Sequence, residues 1–254
     1  MSLFYTSERS PLLPSNAQKG KGKRKKAVAA AAAATGVYVQ ENRGEKNADQ
    51  VKGVDWCRAR RRALEGGVAM GSMVDKLLFQ PPKPPSYSNT PNFFWLYTAL
   101  QSKIPAFYIN QDPSRPVILF SHSNAEDLGM IYDWFREVAR RLHVNVMAYD
   151  YTGYGLSDRV PTEADVYADI EAAFNYLTDD LSFKPSQVIL YGRSIGSGPS
   201  CHLALKQTLE KEPVRALILQ SALMSAWRVA LHFRFSLPGD SFCNIDKISR
   251  VKCP

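Results

Sequence analysis

The sequence predicts an α/β protein in which a mostly parallel sheet carries helices on both faces. Two observations indicate this class. Short apolar runs alternate with amphipathic stretches along most of the chain, which is typical of βαβ units. The hydrophobic fraction is 45 % and the 254 residues include only 4 cysteines, so a packed core is expected rather than a disulfide scaffold.

The predicted strands are residues 93–97, 105–109, 117–120, 144–149, 188–191 and 216–219. Two apolar stripes at helical spacing and a third helical segment separate the later strands. The stripes comprise Leu128, Ile131, Phe135, Val138 and Leu142, and then Val166, Ile170, Ala173, Phe174 and Leu177, while Leu203, Leu205 and Leu209 fall in the third helix. Thr162 and Asp165 resemble a capping box at the start of the second helix.

Positive charge is concentrated at the amino-terminal end of the chain. Residues 1–62 hold 14 of the 32 lysines and arginines and only 5 of the 24 acidic residues. We therefore predict a disordered, basic and alanine-rich tail over residues 1–72 and a folded domain over residues 73–254. The folded part is close to neutral, which argues against nucleic acid as a partner. No apolar run is long enough to span a bilayer.

Two basic clusters lie in this tail, one between Lys19 and Lys26 and the other between Arg58 and Arg62. One interpretation is a solvated arm. The other is attraction to an anionic membrane surface, at about 1 kcal/mol per basic residue. Cys57 adjoins the second cluster and is a candidate for S-acylation, because a lipid chain with a basic patch forms a two-signal anchor. We expect a cytoplasmic protein that is peripheral at membranes.

Gly192, Ser194 and Gly196 form a Gly-x-Ser-x-Gly pattern between a predicted strand and a helix-compatible segment. That context is typical of the nucleophile elbow of α/β hydrolases. The glycines let strand and helix approach closely, and the serine hydroxyl projects from the carboxyl edge of the sheet. Ser194 is therefore the predicted nucleophile, and a purely structural turn is the alternative.

The segment that follows the strand 117–120 is the predicted oxyanion loop. An α/β hydrolase supplies one oxyanion N–H from the loop after its third strand and another from the residue after the nucleophile. The predicted donors are the backbone N–H of Ile195 and that of Ser123 or Asn124, of which we favour Asn124. A further glycine-containing loop begins at Asp150. We assign a structural rather than a catalytic role to Asp150.

Six stretches in the same order resemble the depalmitoylating serine hydrolases of alpha/beta-hydrolase-domain subfamily seventeen. They are residues 76–82 (KLLFQPP), 119–129 (LFSHSNAEDLG), 149–155 (YDYTGYG), 167–170 (YADI), 190–196 (LYGRSIG) and 244–249 (NIDKIS). The resemblance implies a partial α/β-hydrolase domain that hydrolyses thioester-linked acyl chains on S-acylated, membrane-bound proteins. It also implies that Ser194 is the nucleophile. No cofactor is expected.

The chain departs from this family in three respects. His122, Ser123 and Asn124 stand where the family has His-Gly-Asn, so Ser123 would be strained if that glycine has a positive φ. The family has a cysteine-rich amino terminus, whereas the tail here has only Cys57. The triad Asp and His follow the serine in this fold, and we expect both, with the last two strands, beyond Pro254. The chain is then a fragment with an unpaired edge at strand 216–219.

Without its base, a serine is a poor nucleophile, and we expect none of His122, His143, His202 and His232 to replace it. The 254-residue form is therefore expected to have little activity. The alternatives are a non-catalytic membrane- or partner-binding module, a lipase or esterase acting on acyl-ester lipids, and a serine peptidase of the same fold. Cys243 and Cys253 lack zinc-site spacing, and no metal site is predicted.

Overall fold

The computed structural model describes residues 78–88, 92–231 and 240–254. The predicted tail, its two basic clusters and Cys57 lie outside the described residues, as does His232. The division at residues 72 and 73 therefore stays a prediction.

Six strands form one sheet in the order β1-β2-β4-β3-β5-β6. They are β1 (Phe93–Tyr97), β2 (Lys103–Ile109), β3 (Val117–Ser121), β4 (Asn145–Tyr149), β5 (Val188–Arg193) and β6 (Ala216–Gln220). β1 pairs with β2, and β2 with β4, in the antiparallel sense. The four strands from β4 to β6 are parallel. The predicted mostly parallel sheet is confirmed.

In the described part of the chain, five α-helices accompany this sheet: α1 (Leu128–Leu142), α2 (Glu163–Asn175), α3 (Ser197–Leu209), α4 (Ala226–Leu231) and α5 (Ile245–Ile248). Asp127 caps α1, since its side chain accepts from the backbone N–H of Met130. The predicted capping box of Thr162 and Asp165 begins α2. A π-helical turn at Tyr176–Asp180 and a 3-10 turn at Pro185–Gln187 connect α2 to β5.

Helices cover both faces of the sheet because successive crossovers run in opposite directions across it. From β3 it crosses through α1 to β4 on one side, and from β5 it crosses through α3 to β6 on the other side. Right-handed crossovers that run in opposite directions lie on opposite faces. One core cluster accordingly joins Ile131 and Phe135 of α1 to Phe120. A second joins Ile170 of α2 and Leu203 of α3 to the opposite face.

The same reversal creates a crevice at the carboxyl ends of β3 and β5. These two strands are neighbours, and their ends are level because Ser121 pairs with Gly192. The chain leaves β3 towards one face and leaves β5 towards the other. Ligands of open α/β sheets bind at such a switch point, and the predicted oxyanion loop and nucleophile elbow both begin there.

His143 caps the carboxyl end of α1 with φ 51. The predicted third helix, with Leu203, Leu205 and Leu209, is α3. One expectation about the fold is corrected. The outer edge of β6 is not wholly unpaired, since the N–H of Leu217 donates to the carbonyl of Pro254 at 2.9 Å.

We expect Phe135→Ala to lower the free energy of unfolding by about 3–5 kcal/mol. Phe135 is fully buried on α1, and its ring centroid lies 4.4 Å from that of Phe120. Met130→Ala on the same helix is the control and should cost less than about 0.5 kcal/mol, because Met130 is 54 % exposed. Urea denaturation measures both, and equal losses would contradict the assignment of this face.

Candidate active site

Ser194 lies at the sharp turn between β5 and α3. It follows directly on β5 and opens the 3-10 turn Ser194–Gly196, which leads into α3. Its φ is 54, a left-handed backbone conformation that residues other than glycine seldom adopt. A strained serine between a strand and a helix is the local geometry predicted for a nucleophile elbow.

The two flanking glycines are required for space. A Cβ on Gly192 would lie 2.4 Å from the carbonyl oxygen of Gly196. A Cβ on Gly196 would lie 2.1 Å from the carbonyl oxygen of Ser121, at the end of β3. Gly196 itself has a φ of −61, so close approach and not backbone conformation demands glycine here. The elbow therefore presses directly against the start of the predicted oxyanion loop.

Ser197 fastens the elbow to the segment that follows β6. Its hydroxyl donates to the carbonyl of Ser194 at 2.6 Å and accepts from the N–H of Leu223 at 3.0 Å. The side-chain amide of Asn244 also donates to this hydroxyl, at 3.0 Å, and to the carbonyl of Leu223 at 3.0 Å. Sequence reasoning missed Ser197 and assigned no role to Asn244, although Asn244 begins one of the six matching stretches.

The structure separates the two predicted oxyanion donors of the first loop. The N–H of Ser123 already donates to the carboxylate of Glu126 at 2.9 Å. The same carboxylate oxygen pairs with the Arg193 guanidinium at 2.7 Å, which links this loop to the residue before Ser194. Of the two candidates, the N–H of Asn124 is therefore the better placed to serve a substrate.

Ser123 does not have the left-handed backbone that would strain it. Ser123 is not among the described non-glycine residues that have a positive φ, whereas Ala125 is, with φ 56. The tight turn of the loop therefore falls two residues later. A serine fits the position at which the family has glycine.

Three buried tyrosines support the oxyanion loop from the exit of β4. The hydroxyl of Tyr149 lies 2.8 Å from that of Ser121. Tyr151 donates to the carbonyl of His122 at 2.6 Å, and Tyr154 donates to the side-chain oxygen of Asn124 at 2.5 Å. Burial raises the pKa of all three phenols, so they remain protonated.

The side chain of Asn124 is fully engaged within the protein. Its amide nitrogen donates to the carbonyl of Leu78 at 2.7 Å. Its oxygen accepts from the N–H of Gln80 at 2.9 Å as well as from Tyr154. Asn124 thus anchors the first described segment to the loop, and only its backbone N–H is a candidate for contact with a substrate.

His122 and Asp150 form a buried pair behind the loop. Nδ1 of His122 lies 2.8 Å from the carbonyl oxygen of Ser123, and Nε2 lies 3.3 Å from Oδ1 of Asp150. Asp150 also accepts from the N–H of Leu128 at 3.0 Å and from the hydroxyl of Tyr87. Burial raises the pKa of Asp150, and the facing His122 opposes that shift.

Each of the three described histidines contacts groups other than Ser194. His122 faces Ser123 and Asp150, as stated above. His202 lies 2.9 Å from the Glu171 carboxylate and stacks on the Tyr167 ring with 4.0 Å between centroids. His143 caps α1 at the end of the sheet opposite to Ser194. The described residues therefore hold no histidine placed as its base.

Asp169 on α2 is a second buried carboxyl near the site. It accepts from both the N–H and the hydroxyl of Thr152, each at 2.8 Å. These bonds hold the loop that carries Tyr151 and Tyr154. Burial raises the pKa of Asp169 to about 8, against the effect of the two bonds from Thr152.

An apolar cavity of about 170 Å³ adjoins the elbow helix. Cys201 of α3, Leu219, Leu223, Asn244 and Ile248 are among its lining residues. Cys201, Cys243 and Cys253 are free thiols. Within the described ranges, no group of three or more metal-ligating side chains occurs, and no helix is both long and apolar enough to cross a membrane.

Known proteins share both the sequence and the architecture. Residues 116–242, half of the chain, match the family model described as alpha/beta hydrolase fold. Alpha/beta hydrolase domain-containing protein aho-3 of Caenorhabditis elegans is 36 % identical over 215 residues, covering 72 % of this chain and 61 % of the relative. Alpha/beta hydrolase domain-containing protein 17C of Homo sapiens is 39 % identical over 163 residues, covering 63 % of this chain and 48 % of the relative.

The chain thus spans about half to three fifths of the length of these relatives. The name of the human relative confirms the resemblance to subfamily seventeen. A crystal structure of an alpha-beta hydrolase from Vibrio vulnificus is similar in fold, with a TM-score of 0.50 and 20 % identity. That match covers 82 % of this chain and 72 % of the other.

We expect Gly196→Ala to lower the free energy of unfolding by about 1–3 kcal/mol, because its Cβ has no room beside the Ser121 carbonyl. Ser200→Ala is the matched control on α3. The Ser200 hydroxyl is buried and has no hydrogen-bond partner in the described part of the chain, so its loss should be near neutral. Thermal unfolding compares the two, and an unaffected Gly196→Ala would disprove the close contact.

Asp169→Asn should flatten the dependence of stability on pH. A carboxyl with a raised pKa in the folded state stabilises at low pH, and this contribution is lost as the pH rises from about 4 to about 8. Asparagine mimics the protonated acid and does not titrate. The free energy of unfolding of the variant, relative to wild type, should rise by at least about 1.4 kcal/mol between pH 5 and pH 8. Urea denaturation at both pH values measures this. A stability difference between variant and wild type that is the same at pH 5 and pH 8 would refute the prediction.

Proposed function

The chain belongs to the α/β hydrolase fold family, and on that premise we propose that it is a serine hydrolase with Ser194 as its nucleophile. One observation carries the proposal. Ser194 stands at φ 54 directly after β5, between two glycines that have no room for a side chain. A turn of this kind exposes a serine hydroxyl at the carboxyl edge of the sheet.

In the proposed reaction, Ser194 Oγ attacks the acyl carbonyl carbon of the substrate while a histidine base accepts its proton. The backbone N–H groups of Ile195 and Asn124 stabilise the negative oxygen of the tetrahedral intermediate. The leaving thiol or alcohol then takes up the proton from the histidine. Water attacks the acyl-serine, releases the carboxylic acid and regenerates Ser194.

This reaction needs a histidine and an orienting carboxylate, and we place both outside the described residues. The contacts of His122, His143 and His202 support this assignment, since each is engaged away from Ser194. In this fold, the acid and the histidine follow the serine along the chain.

We propose thioester-linked acyl chains on S-acylated proteins as the substrate class. The resemblance to subfamily seventeen supports this choice. The basic clusters between Lys19 and Lys26 and between Arg58 and Arg62 are proposed to hold the enzyme at an anionic membrane surface, with S-acylated Cys57 as the second anchor.

The decisive measurement is covalent labelling by a fluorophosphonate, using the protein purified from its own cells with its intact mass recorded. Wild type should gain one phosphonyl group at Ser194, and Ser194→Ala should gain none. Ser114→Ala, at an exposed serine remote from the site, is the control and should label as wild type does. On a palmitoyl-thioester peptide, Ser194→Ala should lower kcat by about 10⁶.

Saturable binding to liposomes or acylated peptides that Ser194→Ala leaves unchanged, together with no labelling of folded wild type, would favour the non-catalytic module instead. A substrate panel separates the remaining alternatives. A higher kcat/KM for a monoacylglycerol or a peptide than for the thioester would make the protein a lipase or a peptidase.

A further inference from the structure

We infer that His122 is a positioning residue, which aims the backbone N–H of Asn124 at the substrate by holding the carbonyl of the same peptide group. The inference rests on the proposed function of the Ser194 site. It assigns a task to a buried histidine that the proposed reaction does not otherwise use.

The argument begins with the peptide that joins Ser123 to Asn124. Its C=O and N–H belong to one planar unit, and in a trans peptide they point in opposite directions. Nδ1 of His122 lies 2.8 Å from the Ser123 carbonyl oxygen, on one side of this unit. Fixing the carbonyl therefore fixes the direction of the Asn124 N–H on the other side.

The hydrogen bond also determines where one proton resides. A carbonyl oxygen only accepts, so Nδ1 of His122 must carry a hydrogen. Nε2 then faces Oδ1 of Asp150 at 3.3 Å, with both residues fully buried.

The surroundings prevent the ring from turning away. The His122 ring lies against those of Tyr151 and Tyr154, with centroids 4.2 and 5.4 Å away. Asp150 is held in turn by the N–H of Leu128 and the hydroxyl of Tyr87. Glu126 holds the N–H of Ser123, but this bond belongs to the preceding peptide. Within the described residues, the hydrogen bond to the Ser123 carbonyl comes from His122.

Two amide substitutions separate the two ring nitrogens. The side-chain N–H₂ of asparagine reaches the place of Nδ1, whereas that of glutamine reaches the place of Nε2. His122→Asn should therefore keep the bond to the Ser123 carbonyl and lose the contact with Asp150. His122→Gln should do the reverse, which makes each variant the control for the other.

The first readout is the amide resonance of Asn124 and its hydrogen-exchange rate. We expect both to stay close to wild type in His122→Asn and to change in His122→Gln. The second readout is hydrolysis of a palmitoyl-thioester peptide by the protein from its own cells. His122→Gln should lower kcat by about 10- to 100-fold, part of the loss seen when an oxyanion donor is removed, with KM little changed. His122→Asn should stay within about threefold of wild type.

Equal changes in both variants, or a larger change in His122→Asn, would overturn the inference and leave His122 as a structural partner of Asp150. If wild type does not label at Ser194, the proposed function is wrong. The resonance and hydrogen-exchange rate of the Asn124 amide in the two variants still test the positioning role of His122. If either variant does not fold, wild type alone suffices. A through-hydrogen-bond coupling between Nδ1 of His122 and the carbonyl carbon of Ser123 supports the inference, and an unprotonated Nδ1 disproves it.

Discussion

The close approach of the elbow to the end of β3 is the constraint on which the rest of the site depends. Gly196 touches the Ser121 carbonyl so closely that any side chain would push the two apart. Because Ser121 and Gly192 also share a register in the parallel ladder, the elbow and the oxyanion loop begin at the same height. Two segments more than 60 residues apart in sequence therefore meet through a direct backbone contact.

A backbone contact of this kind sets the position of the loop but does not fix the orientation of its peptide groups. The polar groups behind the loop fix that orientation. Tyr149, Tyr151 and Tyr154 lie at the end of β4 and just after it, and they bind the Ser121 hydroxyl, the His122 carbonyl and the Asn124 side chain. Buried backbone groups need such partners, since water does not reach them. Their bonds are made in a dry interior, so the loop is held in one arrangement before any substrate arrives.

The features predicted correctly are those that local patterns determine. Period and turn residues placed the strands within two residues, the capping box of Thr162 was evident from four positions, and the glycine spacing marked the elbow. The features missed are pairs that lie far apart in sequence. The bonds of Ser197 to Asn244 and of Tyr151 to His122 join ordinary residues whose partners only the folded chain selects. The positive φ of this loop, at Ala125, was likewise not predicted.

The left-handed backbone of Ser194 has a consequence for the evolution of this position. A non-glycine residue in that conformation costs roughly 1–3 kcal/mol, a sizeable part of the stability of a single domain. Drift under selection for folding alone would favour glycine there, which adopts the conformation without strain. A lineage that keeps serine at this turn is therefore under selection for something other than folding, and this position would be among the first to change once that need lapsed.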